Sequence, residues 1–381
     1  MSKQEKVCPL RKTSIGGQAL MEGIMMRGPE KSAMAVRRPN GEIYFEEEPT
    51  VKKKRPAICR WPVIRGVFGF VDSMVMGYKY LMKSADIFCE EEEAEEKKKT
   101  EKAEATGTEN AEKPKDGMEK TEKTEEKKEP QSAFGKGTMV AITVIATVLG
   151  FGLAIALFMW LPSFLYQLLA DHVLPESWNN RYLRSAFEGV LKIAVLIAYM
   201  ALVSLMKDIR RTFMYHGAEH KTIFCYEQGK PLTVENVREQ RRFHPRCGTS
   251  FLILMLIVSI VIGFLIPINI PGLEGHPIIY TLVRAAIKLA LLPLIMGIGY
   301  ELLKFAGRHD NILTRIISAP GMWLQRITVR EPTDDMIECA IKAFVAVIPE
   351  NERPAELAAI AAATAETSTD AEGIEAPAEN A

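Results

Sequence analysis

The sequence lacks any overall bias of charge. Over 381 residues, 48 Lys and Arg balance 48 Asp and Glu, for a formal net charge of +0. The mean hydropathy is likewise zero, so both figures average over unlike segments and the chain has to be read piece by piece. Cysteine is sparse: Cys8, Cys59, Cys89, Cys225, Cys247 and Cys339 are the whole complement. The connections between the first and second and between the third and fourth apolar segments, residues 170–182 and 267–277, contain none, which excludes a disulfide framework and suits a reducing compartment. The start, Met-Ser-Lys-Gln-Glu-Lys-Val-Cys, has no apolar core, so no cleavable signal peptide is expected. Neither the Walker pattern nor G-x-G-x-x-G is present, which excludes the usual phosphate loops. The basic residues also lack interleaved aromatics suited to base stacking, and no nucleic-acid partner is expected.

What is present is a strong partition. Residues 138–169, 183–206, 249–273 and 278–306 are rich in Leu, Ile, Val, Ala, Met and Phe, and each reaches the ~20 residues needed to cross a bilayer. The second carries Glu188 and Lys192 and is the least clean. Between the second and third segments, residues 207–248 hold nine Lys and Arg, among them Lys207, Lys221, Arg238 and Arg246. Residues 267–277 hold none. By the positive-inside rule both termini and the 207–248 loop are cytoplasmic. The expected fold class is mainly α: a polytopic membrane helix bundle of about four spans, with a small cytoplasmic α+β portion.

The soluble pieces follow from local patterns. In the N-terminal segment 1–61, Ser32–Arg38 and Glu42–Glu48 flank Pro39-Asn40-Gly41, a hairpin signal. Upstream, the Gly and Met segment from Gly16 to Gly28 permits close backbone approach or positive φ. Residues 62–88 are expected as an interfacial or re-entrant helix with Gly66, Gly69, Ser73 and Gly77 on one stripe, the alternative being a fifth span. Residues 90–131 alternate Glu and Lys blocks and are expected to be a disordered charged linker. The four-span domain covers 138–306, and a helical cytoplasmic segment covers 307–350. There Thr333-Asp334-Asp335 precedes Met336, Ile337, Ala340, Ile341, Phe344, Val345 and Ile348 at helical spacing. The tail 354–381 is expected to be disordered.

Chemistry concentrates in the 207–248 loop, where three of the six histidines fall. His216 and His220 are four apart, which puts both imidazoles on one helix face at metal-chelating spacing. With Glu219, His-x-x-Glu-His is the inverted form of the zinc-protease helix, in which the carboxylate handles the proton of a bound water. Their face also carries Phe213 and Phe224. Buried there without a metal, the imidazoles would need Glu219, a backbone carbonyl or a water as partner. Downstream, His244 and Cys247 in His-Pro-Arg-Cys-Gly complete the donor set. The ligands His216, His220 and His244 would leave an open, catalytic position; adding Cys247 would close a structural or sensing site. Both alternatives stay open. His309 with Asp310 is a lesser candidate, and His172 and His276 read as solvated loop residues. Within the spans, Glu188 is expected to face Arg284 or Lys288, and Glu301 to pair with Lys304. Sensitivity centred on these charges would mark a transporter instead, which four spans without a broken-helix repeat do not favour.

The segments Gly16–Gly28, Tyr215-His216-Gly217-Ala218-Glu219-His220-Lys221 and Arg242–Phe251 resemble those of the bacterial YqhQ-type membrane family. The resemblance spans roughly residues 10–88 and 135–350. It implies a protein of unknown function described as a metal-dependent enzyme, with His216, Glu219, His220, His244 and Cys247 at the corresponding positions. The resulting expectation is a metal-dependent hydrolase at the cytoplasmic face, using zinc, with Glu219 as the proton carrier. Its expected partners are the lipid bilayer and either other membrane proteins or a lipid-linked substrate. The alternative is a non-enzymatic membrane adaptor or quality-control factor with a closed structural metal site.

Overall fold

The computed structural model describes residues 13–50, 55–106, 136–175, 180–265, 277–309 and 311–349. The chain divides into two compact units, Met1–Glu92 with Leu196–Ser259 and Leu291–Ala381, and Glu93–Val195 with Ile260–Ala290.

The first unit is built on a four-stranded antiparallel sheet of β1 (Gly16–Leu20), β2 (Gly23–Arg27), β3 (Lys31–Arg37) and β4 (Ile43–Pro49), in sequence order. The expected hairpin is β3–β4, closed by a turn in which Gly41 has φ of +91°. The Gly and Met segment forms a second hairpin, β1–β2, which its sequence did not announce. The reason is that both faces of the sheet are covered. Ile24, Met26, Ala33 and Ala35 join one core, while Leu20, Met25, Met34 and Val36 join another with Tyr80. A strand buried on both sides has no polar alternate positions, so the period-2 signal vanishes.

Tyr80 and Met76 belong to α1 (Ile64–Thr106), which covers the second face. This helix runs past the expected boundary at 88 and takes in the first part of the charged linker; residues 107–131 lie outside the described residues. The opposite face is covered by α5 (Lys207–Glu227) and α10 (Asp334–Val347), through Tyr215, Ala218, Met336, Ile337, Ala340 and Phe344. The helical spacing seen from Met336 onward is thus the core-facing stripe of α10. The tail 354–381 lies outside the described residues.

The apolar segments form helices. They are α2 (Lys136–Ile155), a π-helical turn Ala156–Trp160, α3 (Leu161–His172), α4 (Arg181–Val203), α7 (Gly248–Gly263) and α8 (Pro277–Arg308). Three stretches are long and apolar enough to cross a membrane among the described residues: Val144–His172, Tyr182–Val203 and Leu282–Arg308. The third expected span appears as the shorter α7, and its expected continuation over 266–273 lies outside the described residues. The protein is therefore a helical membrane bundle with a small α+β part. Two further helices, α6 (Val234–Arg238) and α9 (Ile312–Thr328), complete the first unit.

Ser204–Met206 separate α4 from the histidine helix: Met206 is extended at ψ 134°, and α5 starts afresh at Lys207. One expected pairing is corrected. Glu301 pairs with Arg65 of α1, whose Nε lies 2.6 Å from it, and Lys304 instead sits over the Tyr300 ring. Guanidinium geometry explains the choice, since its fork engages both carboxylate oxygens. In the second unit Glu188 meets Lys288 at 2.6 Å, as expected, and also accepts from Arg184 at 3.0 Å and Ser163 at 3.1 Å.

Candidate metal centre

Helix α5 carries His216 and His220 one turn apart, with ring centroids 4.4 Å from each other. Each ring is anchored through Nδ1 to a backbone carbonyl. His216 Nδ1 donates to Thr328 O at 3.0 Å, and His220 Nδ1 donates to Arg242 O at 2.5 Å. A ring held this way carries its proton on Nδ1 and presents Nε2 as a lone pair, the arrangement by which outer groups orient metal-binding histidines. His216 Nε2 lies 3.1 Å from Cys247 Sγ. Among the described residues the buried Nε2 of His220 has no oxygen or nitrogen partner, and the thiol of Cys247 is its nearest candidate. Donor atoms of His216, His220 and Cys247 all fall within 4.8 Å of one another.

Gly217 explains how Thr328 comes so close. A β-carbon there would collide with the Arg330 carbonyl oxygen, so the glycine opens the path by which the chain leaving α9 crosses α5. Arg330 N then donates to Phe213 O at 2.9 Å, and the crossing is fixed. Ala218 is fully buried against the sheet. Glu219 is buried too, and its Oε1 accepts from Gly17 N at 2.9 Å. A β-carbon on Gly17 would sit 2.7 Å from Met25 O and 3.1 Å from the Glu219 carboxyl carbon, which leaves room for glycine alone. Burial pushes the Glu219 carboxyl above its ordinary range, against the opposing attraction of His216 and the Gly17 hydrogen bond. Burial likewise holds His220 below the ordinary imidazole range, so the ring is neutral and available as a donor.

The second motif is positioned by α9. Gln325 is fully buried and clamps the His244 backbone, its Oε1 accepting from His244 N and its Nε2 donating to His244 O, each at 2.8 Å. Cys247, directly before α7, reaches the histidine pair. Thr249 N and Oγ1 lie 3.4 and 3.2 Å from its sulfur. The His244 ring is turned another way: its Nδ1 accepts from Arg246 N at 3.2 Å, and its Nε2 lies 3.9 Å from Glu227. Of the four expected ligands, the structure brings together His216, His220 and Cys247, and His244 is not among them. Glu219 stands beside the group, held by the sheet. His309 is exposed and bonded to Phe305 O, and His172 to Leu168 O.

Glu227 is the residue the sequence reading missed. Its side chain is 1% exposed and is held by Arg246, by Thr13 N at 2.9 Å and by the His244 ring. Burial would raise its pKa, but the bonds from His244, Arg246 and Thr13 outweigh that and hold it below the usual carboxylate range. It sits seven residues after His220 on the same stripe of α5, so extending the histidine face by two turns would have found it.

These donors fit a metal. Two imidazoles with anchored Nδ1 atoms and one thiol make a borderline-soft set suited to zinc or another divalent transition ion, and the Nε2 of His220, which lacks an oxygen or nitrogen partner among the described residues, is an atom such an ion would satisfy. The profile of a family described as "Protein of unknown function (DUF1385)" matches residues 61–350. The "Uncharacterized protein YqhQ" of Bacillus subtilis (strain 168) is 30% identical over 333 residues, which cover 86% of this chain and 90% of that protein. No solved structure matches the chain.

Proposed function

The chain belongs to this family of proteins of unknown function, and since membership supplies no chemistry, we propose from its own residues that it is a membrane-bound, metal-dependent hydrolase. His216 and His220 would offer Nε2, and Cys247 Sγ, to a divalent transition ion, most simply zinc. Such an ion lowers the pKa of the water it binds and supplies a nucleophile at neutral pH. Three protein donors leave one tetrahedral position for a non-protein ligand, which is the catalytic pattern. Glu219 is the proton carrier in this reading. The Gly17 N–H fixes its Oε1, leaving Oε2 to take and return a proton, and burial raises its pKa above the ordinary carboxylate range. The Thr328 and Arg242 carbonyls keep the imidazoles in the donor tautomer.

The observation that carries the reading is the convergence of the His216, His220 and Cys247 donor atoms within 4.8 Å of one another, with both imidazoles held at Nδ1 by backbone carbonyls. The Lys and Arg distribution supports a cytoplasmic face. A peptide or a lipid-linked substrate suits a donor group set immediately before the apolar α7.

Elemental analysis of the detergent-purified full chain tests this. About one transition metal per chain is expected. It should be lost in His216→Ala, His220→Ala and Cys247→Ala, and retained in His244→Ala and Glu219→Gln. A well-folded parent chain without metal overturns the proposal. Loss in His244→Ala as well would indicate a closed four-ligand structural site and favour the adaptor function.

A further inference from the structure

A second site lies on the far side of His244. A cavity of about 380 Å3 opens between the 241–246 segment, the end of α8 at Gly307 and His309, and the first turns of α9. Its charge is lopsided. Arg241, Arg246 and Arg315 line it together with His244 and His309, and among the described lining residues Glu227 is the sole carboxylate. Glu227 is already committed to Arg246 and Thr13 N. Arg241 is stacked with its guanidinium carbon 4.3 Å from the centre of the Phe224 ring, which fixes a planar donor at the wall. This volume falls in the small-ligand range and is too small for a folded partner.

The wall made by α9 identifies the ligand's surroundings. This helix buries its polar side, Thr314, Ser318, Gln325 and Thr328, and turns Ile312, Leu313, Ile316 and Trp323 outward at 77%, 56%, 63% and 70% exposure. A helix facing water does the reverse. The outward apolar face with a Trp, next to Arg315, is the pattern of a helix lying in a membrane interface. The cavity is set at that level from two other directions, because α7 begins two residues after Arg246 and the apolar α8 ends at Arg308.

We propose that this cavity binds the phosphate of an anionic phospholipid headgroup, with Arg241 and Arg315 as the principal donors and the apolar face of α9 set among the acyl chains. The assignment does not depend on the metal centre.

Isothermal titration of the full chain in a non-ionic detergent tests it, with dihexanoyl-phosphatidylglycerol as the probe and dihexanoyl-phosphatidylcholine and inorganic phosphate as comparisons. Phosphatidylglycerol should bind about tenfold tighter than phosphatidylcholine, since only the former carries net charge. Arg241→Ala and Arg315→Ala should each weaken it about fivefold, and Arg241→Lys should keep most of the affinity. Should either alanine variant unfold, Arg241→Lys and Arg315→Lys read the same contacts through the salt dependence of binding, which should persist. Equal affinity for both lipids, or phosphatidylglycerol binding unchanged in Arg241→Ala/Arg315→Ala, overturns the proposal. Inorganic phosphate binding as tightly as the lipid overturns the lipid assignment in favour of a soluble phosphate.

Discussion

Glu219 places chemistry and stability in opposition. Its carboxyl is buried and its pKa raised, so the folded state prefers the protonated form. The stability this contributes is fully present below the unfolded-state pKa, about 4.3, and is lost as pH rises through the folded-state value. Above the unfolded-state value the buried carboxyl therefore weighs against folding. Glu219→Gln keeps an oxygen for the Gly17 N–H and removes the charge. Chelator-treated Glu219→Gln should melt higher than the parent chain at pH 8, by about 2–4 °C, the shift that ~1 kcal/mol gives in a domain of this size. The difference should close at pH 4, and differential scanning fluorimetry at both values reads it. A variant that melts lower at pH 8 would mean that Glu219 serves the fold rather than a reaction, while any hydrolase activity should disappear in the same variant.

Among the helices, the cluster at Glu188 makes an asymmetric prediction. One buried carboxylate serves Lys288 and Arg184. Removing it takes the carboxylate from Lys288 and from Arg184 at once, whereas Lys288→Met leaves Glu188 still paired with Arg184. Stranding a buried partner costs about 3–5 kcal/mol. Glu188→Gln should therefore lower the thermal midpoint in detergent well beyond Lys288→Met, and equal effects would show that Arg184 contributes little. This pairing was legible because charges within apolar segments have few places to go. The Glu301 pairing was not, because Arg65 lies 236 positions away in sequence and no spacing rule connects them. The same limit governs the metal centre. His216 and His220 share a helix, so their spacing alone makes them neighbours. Whether His244 or Cys247 joins them depends on how a turn is rolled, and Gln325, 81 positions on, sets that by clamping the His244 backbone. The β3–β4 hairpin was announced by Asn40-Gly41, while β1 and β2, glycine-rich and enclosed by helices, left no alternation to read.

Across the whole molecule, the three segments that carry the family resemblance converge on α5. Gly17 reaches Glu219, the Arg246–Cys247 turn reaches Glu227 and His216, and Glu22 binds Arg211 and Tyr215. The shared core draws on residues 15–35, 215–237 and 336–348. Phe344 is fully buried in it, with its ring 5.2 Å from that of Tyr226. Phe344→Ala should cost about 3–5 kcal/mol. Because α10 shares one face of the sheet with α5, the variant should open the core between them, and faster reaction of the buried Cys225 with a thiol reagent under native conditions would report it. Unchanged reactivity and melting would show that the core does not act as one unit.

That convergence has a consequence for biogenesis. The sheet is complete once residue 49 has left the ribosome, yet α10, which seals it, is among the last described elements to be made. Between those moments every apolar helix must be handed to the insertion machinery. Until α10 is made, the face carrying Met26, Ala33 and Ala35 lacks part of its cover. A nascent chain stalled before residue 334 would carry the described membrane helices and the His216, His220 and Cys247 donors but an unsealed sheet, so recognition of that exposed face by chaperones or proteases would make synthesis of α10 a checkpoint.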